Sequence, residues 1–354
     1  MARSPTARSE APRADGWWIA ILTPVLLLPG TARADVPMTY LRTFGGFKGE
    51  QIKILTWALL IQAIVVVVIV SLLVLIGVLL RRSRRPATGP DRQPVQETGS
   101  GLSWIYLGVG ISTVALIGSM IWNGYTMAAI DRPPRAPELT IEVRGHQWWW
   151  EVRYMSQDTS RIFETANEIH IPVGQPVEFR VSTVDVIHSF WIPALGDKID
   201  LVPNQINSNW LEADSPGIYR GQCSEYCGQQ HAHMGLVVVA DQPADFQAWW
   251  DRQLRPAALP ADQPQVAEGA TQFVMRCGAC HSIRGTQAGG RLGPNLSHLM
   301  SRKSVAAGTL PNNPAYLSGW IADPQTVKPG NLMPNLDLSG PELASIRTFL
   351  EAQK

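Results

Sequence analysis

"EIHIPVGQPVEFRVSTVDVIHSFWIP", residues 168–193, is the stretch whose reading decides the fold. It is dense in Val, Ile and Phe, parts of it alternate apolar with polar residues, and "VGQP" interrupts it. Period-two alternation broken by Gly and Pro predicts half-buried strands joined by a turn. Similar stretches flank it: "LTIEVRG" and "WWWEVRYM" before it, "MGLVVVA" after it. Many short strands within about 100 residues predict a β-sandwich over 138–250, closed by a short helix at "PADFQAWWDRQL".

Working outward toward the N-terminus, the apolar pattern lengthens. Ile54–Leu80 is an uncharged run of 27 residues, and Leu102–Ile130 is a second uncharged run. Each exceeds the ~20 residues needed to cross a bilayer core. Residues 35–137 therefore read as a transmembrane hairpin, with helices at about 54–80 and 102–130. Arg81, Arg82, Arg84 and Arg85 lie in the connection and mark its cytoplasmic side, so both soluble flanks face outward. Residues 1–34 read as a signal peptide. Arg3, Arg8 and Arg13 precede the 12-residue run "WWIAILTPVLLL", and "ARA" at 32–34 is a small-residue cleavage site.

Beyond the sandwich, "RPAALPADQPQ" is a Pro/Ala-rich linker within 251–265. From Val266 the period becomes helical, predicting a small all-α unit over 266–354. It opens with Cys277-x-x-Cys280-His281, the pattern that attaches a c-type haem. Two cysteines three apart can form thioethers to the vinyl groups while the adjacent His meets the iron. His298, Met300 and Met333 are the candidates for the sixth ligand. Met333, in the Pro/Gly loop "KPGNLMPNL", is favoured over Met300, whose apolar helical context suits the core. Thioether ligation raises a haem potential, which suits electron transfer. "LGPNL" offers the Pro294 carbonyl to orient His281.

The other two cysteines sit in "GQCSEYCGQQHAHM", residues 221–234. A disulfide between Cys223 and Cys227 is reasonable in an exported domain. It gives no role to His231 and Met234. Thiolate, thioether and imidazole donors together select copper, and His188 on an upstream strand is the candidate for a further ligand. Two thiolates offer enough donors to bridge two metals.

With "GHQWWW" and V-x-H-S-F upstream, this C-S-E-x-C-G-x-x-H-x-x-M pattern resembles cytochrome c oxidase subunit II. With the haem unit fused, residues 40–354 resemble subunit II of the caa-type oxidases. The resemblance implies a cupredoxin-like sandwich holding the dinuclear copper centre CuA. Its ligands are then His188, Cys223, Cys227, His231 and Met234, with the Glu225 carbonyl. It further implies a magnesium on the Glu225 carboxylate, at a boundary with subunit I. Trp150, last of "GHQWWW", falls on the tryptophan that admits electrons, and His146 and His233 are not ligands. The implied function is to pass electrons from cytochrome c through haem c and CuA to the haem of subunit I. There oxygen is reduced to water with proton translocation. Implied partners are subunits I and III, a cytochrome c donor and the lipid bilayer. The implied location is a bacterial inner membrane, multi-pass, with both metal domains on the periplasmic side. Glu97 lies farther from Trp104 than the family's proton-channel glutamate would, and receives no role.

A formal net charge of +1 argues against nucleic acid as a partner. Seven histidines cannot fill two haem ligand sets and a copper trio, so this chain alone does not reduce oxygen. A thiol-redox or copper-delivery factor would leave the fused haem unexplained. A nitrous-oxide reductase would need a large His-rich domain, and a quinol oxidase subunit would lack the cysteines. Charge divides by segment. Residues 138–250 carry 15 acidic and 6 basic groups, a net of −9, while 265–354 carry 5 and 8, a net of +3. This predicts a loose, electrostatically biased encounter of the two soluble domains, with Arg302 and Lys303 on the contact face.

Overall fold

The computed structural model describes Met38 and residues 45–82, 101–257, 259 and 262–354. The signal segment, Arg84, Arg85 and Glu97 fall outside them. All the described residues belong to one compact unit, Val36–Lys354.

The apolar runs form α1 (Phe47–Arg82) and α2 (Gly101–Asp131). Both are long and apolar enough to cross a membrane. Between the helices, Ser119 Oγ donates to Gln62 Oε1 at 2.8 Å, pairing a hydroxyl with an amide oxygen where water is scarce. The chain starts α1 earlier than the apolar run suggests. Its first turns rest on the sandwich, where buried Lys48 Nζ meets Asp197 Oδ1 at 2.7 Å and Asn209 Oδ1 at 2.6 Å. The end of α2 is held there too, by Trp210 Nε1 donating to the Ile130 carbonyl at 3.0 Å.

The sandwich has two five-stranded sheets. The first runs in the order β3 (Phe163–Ala166), β2 (Trp149–Tyr154), β1 (Leu139–His146), β5 (Val177–Thr183), β8 (Asn207–Leu211). The second is ordered β4 (Glu168–Pro172), β10 (Gly235–Asp241), β9 (Gly217–Cys223), β6 (His188–Trp191), β7 (Ile199–Leu201). The alternation in sequence becomes alternation in burial: Ile141 and Val143 on β1 face Phe179 and Val181 on β5, all wholly buried. Helix α3 (Pro243–Gln253) closes one side, setting Trp249 and Trp250 edge-on or tilted against Tyr154 and Phe163.

The C-terminal unit is built on α4 (Pro264–Arg276), α5 (Pro314–Ala322), α6 (Pro324–Val327) and α7 (Gly340–Glu351), with a short hairpin of β11 (Ser304–Val305) and β12 (Leu310–Pro311). Helix α7 is fixed at its start by a Ser339/Glu342 capping box. Phe273 of α4 packs on Phe349 of α7 with ring centroids 5.5 Å apart.

The loose encounter expected from net charge is not what the fold contains. Hydrogen bonds join the two soluble units along a continuous boundary. The Gly235 amide donates to the Ala307 carbonyl at 2.9 Å, and Gln230 Nε2 to the Pro329 carbonyl at 2.8 Å. The Lys303 amide donates to Glu168 Oε2 at 2.7 Å, and Arg284 Nη2 to the Ile162 carbonyl at 3.1 Å. Arg302 is a buried residue, donating to the carbonyls of Asn295 and Ser297. Burial pushes its guanidinium down to about 10. Net charge sets a long-range bias, whereas these contacts are made chiefly by backbone groups that a charge count does not see.

Candidate metal centre and haem cavity

The copper loop descends from β9, turns through 224–230 and returns into β10. Cys223 at the end of β9 and His188 at the start of β6 lie on neighbouring strands. His188, Cys223 and Cys227 are buried, with ligand atoms all within 4.8 Å of one another. Cys223 Sγ lies 3.8 Å from Cys227 Sγ, well beyond the ~2.05 Å of a disulfide, and all four cysteines are free. Around the thiols stand His188 Nδ1 at 3.9 Å from Cys223 and the Glu225 carbonyl at 3.2 Å from it. His231 Nδ1 is 3.5 Å and Met234 Sδ 3.8 Å from Cys227. The structure thus gathers every predicted copper ligand around one pair of sulfurs.

The electrostatics suit a cation. The Cys227 thiol hydrogen-bonds to Cys223 and holds the Cys223 pKa well below the ordinary thiol value, while Cys227 is pushed up by that same bond and by burial. One thiolate therefore forms readily, and the second needs a positive charge between the sulfurs. His188 Nε2 bonds to Asp185 Oδ1 at 2.7 Å, which turns Nδ1 toward the thiols. The Glu225 carboxylate lies 3.8 Å from Lys198 Nζ, so a cation there competes with that lysine.

Beside the copper loop lies a cavity of about 320 Å³. Cys277, Cys280, His281 and Met333 line it, with apolar residues such as Leu299, Trp320 and Ile346. His281 Nδ1 donates to the Pro294 carbonyl at 2.9 Å, leaving Nε2 for the cavity. A Cβ at Gly293 would stand 2.6 Å from that imidazole, so the turn tolerates no side chain. Met300 does not line the cavity; it packs against the helical core. The residues fit a haem: two thiols, an oriented imidazole and a thioether around an apolar slot.

Copper loop and cavity are neighbours because Gln147 and Trp148 of the β1–β2 connection, with Trp149 at the start of β2, line the same cavity. Trp148 Nε1 donates to the Cys227 carbonyl at 3.0 Å. Gly228, at φ +114°, permits this approach, since a Cβ there would lie 3.0 Å from the Trp148 ring. Trp150 is wholly buried behind this position, edge-on to His188 and Phe190, and does not line the cavity. His146 pairs with Glu151 at 2.9 Å and stacks on Trp149. His233 bonds to Gln230 Oε1 at 2.7 Å. His298 ties down the C-terminus through the Lys354 carbonyl at 2.7 Å.

Two features escape a reading of motifs. His170 is clasped by Asp241 at 2.6 Å and Glu168 at 3.2 Å, beneath Trp249. Burial opposes its charge, but the two carboxylates hold its pKa above the ordinary value. Lys328 is buried at the domain boundary, where burial pushes its ammonium down to about 7.

Fold and site together define a membrane-anchored electron carrier with a copper centre and a haem. Residues 153–241 match the family "Cytochrome C oxidase subunit II, periplasmic domain", and residues 266–354 match "Cytochrome c". The chain is similar to cytochrome c oxidase subunit 2 of Alkalihalophilus pseudofirmus, 34% identical over 83% of this chain and 86% of that one. It is also similar to cytochrome c oxidase subunit 2 of Bacillus subtilis, 29% identical over 77% and 80%. A solved periplasmic domain of subunit II (CoxB) of Bradyrhizobium japonicum is 32% identical over 34% of this chain and 95% of its own, with TM-score 0.32. The chain belongs to the cytochrome c oxidase subunit II family, with a cytochrome c domain at its C-terminal end. Family membership implies CuA copper, haem, and assembly with other oxidase subunits and cytochrome c donors.

Proposed function

We propose that this chain accepts electrons for a haem–copper oxidase through a haem bound in the 266–354 domain and a copper pair bound in the 138–250 domain. The observation that carries this reading is that four donor groups converge on the Cys223 and Cys227 sulfurs, one tryptophan away from a cavity lined by Cys277, Cys280, His281 and Met333. When bound, haem and copper supply one-electron redox chemistry; oxygen is reduced in subunit I. Cys277 and Cys280 attach the haem covalently, and His281 and Met333 ligate it. Cys223, Cys227, His188, His231, Met234 and the Glu225 carbonyl would hold the copper, the two thiolates as its principal donors. The Glu225 carboxylate, freed from Lys198, holds magnesium at the subunit I boundary. Trp148, rather than Trp150, is the aromatic link, because it touches both the cavity and the Cys227 carbonyl. The hairpin at 35–137 anchors the chain in the inner membrane after removal of residues 1–34. Residues 251–265 link the two metal domains, which face the periplasm, and subunits I and III pack beside the hairpin.

Metal analysis with electron paramagnetic resonance of the purified chain tests this. The expected result is two coppers per chain with a mixed-valence signal, and haem that remains attached after denaturation. One copper, zinc in its place, or haem lost on denaturation would overturn the assignment.

A further inference from the structure

Lys328 occupies a socket made by three separate segments. Its Nζ donates to the Trp148 carbonyl at 2.8 Å, the His233 carbonyl at 2.8 Å and the Ala306 carbonyl at 3.3 Å. The first belongs to the β1–β2 connection, the second to the end of the copper loop, the third to the turn after β11. A lysine ammonium has three donors and no acceptor, so three carbonyls exhaust it. Its side chain is buried, and no carboxylate stands in ion-pair range of it among the described residues. The next residue continues the contact, since the Pro329 carbonyl accepts from Gln230. The same loop then carries Met333 to the cavity wall. One end of this loop therefore grips the segment that bears His231 and Met234, and the other end reaches the haem cavity.

We propose that Lys328 is a positioning residue that locks the haem domain to the copper loop and keeps Trp148 wedged between the cavity and Cys227. This rests on the electron-transfer reading above. Adhesion alone would not call for an ammonium. Burying a charge is costly, and apolar replacements of buried charges are often neutral for stability. What the ammonium adds is register: one nitrogen fixes three carbonyls relative to each other. A planar guanidinium presents its donors as a fork and cannot reproduce that geometry.

The test uses the assembled oxidase carrying Lys328→Met. Arg284→Met, which removes a different cross-domain bond at Ile162, is the comparison. Hydrogen exchange at the Gly235 amide, which donates to Ala307, reports whether the boundary opens. Exchange in Lys328→Met is expected to rise about tenfold or more, the factor for losing one charge-assisted hydrogen bond. Flash-initiated electron transfer between haem and copper is expected to slow, while the copper resonance and haem absorption persist. Lys328→Gln, with two donors on a shorter stem, falls between, and Lys328→Arg does not restore the rate. Arg284→Met transfers electrons at the wild-type rate. Unchanged transfer in Lys328→Met, or equal slowing in Arg284→Met, overturns the proposal. A wild-type chain without the mixed-valence copper signal would overturn the functional reading instead, and the exchange comparison would still decide for or against the lock.

Discussion

Met333 and Met300 have the same chemistry and opposite surroundings, the cavity wall for one and the helical core for the other. Met333→Leu is expected to leave the haem attached, lower its potential and open the iron to carbon monoxide. Met300→Leu is expected to cost less than about 1.5 kcal/mol and leave the haem spectrum unchanged; difference spectra with carbon monoxide separate the two. Gly228→Ala is a second test. Its positive φ and the 3.0 Å approach of Trp148 both oppose a methyl group. A loss of about 1 kcal/mol or more in unfolding free energy is expected, with a perturbed copper resonance. The donors gathered around the two sulfurs are legible in sequence because five of the six lie in one loop, 221–234. Trp148 is not. Three consecutive tryptophans give no parity signal, and the Gln147–Trp148 connection lacks the Asn-Gly or Asp-Gly pattern that marks a tight hairpin. Sequence alone therefore does not single out the tryptophan that stands between the cavity and the Cys227 carbonyl.

Elements were legible wherever one period held over a full length. The two apolar helices and the strands of the sandwich are such cases. Where an element carries a second job, periodicity misled. Helix α1 begins with a polar turn because Lys48 must reach the sandwich, so its N-terminal boundary is hidden in charged residues. His170 on β4 was unreadable for a related reason: its partner Asp241 lies 71 positions away on β10. That cluster predicts a pH dependence. A histidine whose folded pKa lies above its ordinary 6.5 adds stability that is fully present below that value. The stability is lost as pH rises through the folded pKa. The groups facing it are Asp241 and Glu168, with Arg302 lining the same small recess. Urea unfolding of the copper domain should therefore show stability falling as pH rises above about 6.5, and His170→Gln should flatten that slope. An unchanged slope in the variant would assign the pH dependence to other groups.

At the scale of the molecule, composition divides the chain by charge and misjudges how its parts meet. Net charges of opposite sign are real, but they carry no positional information. The boundary is made of amide and carbonyl groups, one buried lysine, the Arg284 guanidinium and one glutamate that accepts from a backbone amide. Contacts of this kind exclude the ions that screen exposed charges. At ~0.15 M salt the screening length is about 8 Å, so a surface-charge encounter would weaken steeply as salt rises. A hydrogen-bonded boundary would not. Electron transfer between haem and copper in the wild-type oxidase is therefore expected to stay constant, within about twofold, from ~0.05 to ~0.5 M salt. Lys303→Glu should leave it equally constant, because it is the Lys303 amide, not its ammonium, that meets Glu168. Glu168→Gln should weaken the boundary modestly, since a neutral acceptor replaces a charged one at the same amide. Electron delivery from an external cytochrome measured in the same samples supplies the contrast, because an encounter between separate molecules remains open to screening. A rate between haem and copper that falls with salt in parallel with external delivery would restore the loose encounter and remove the fixed boundary.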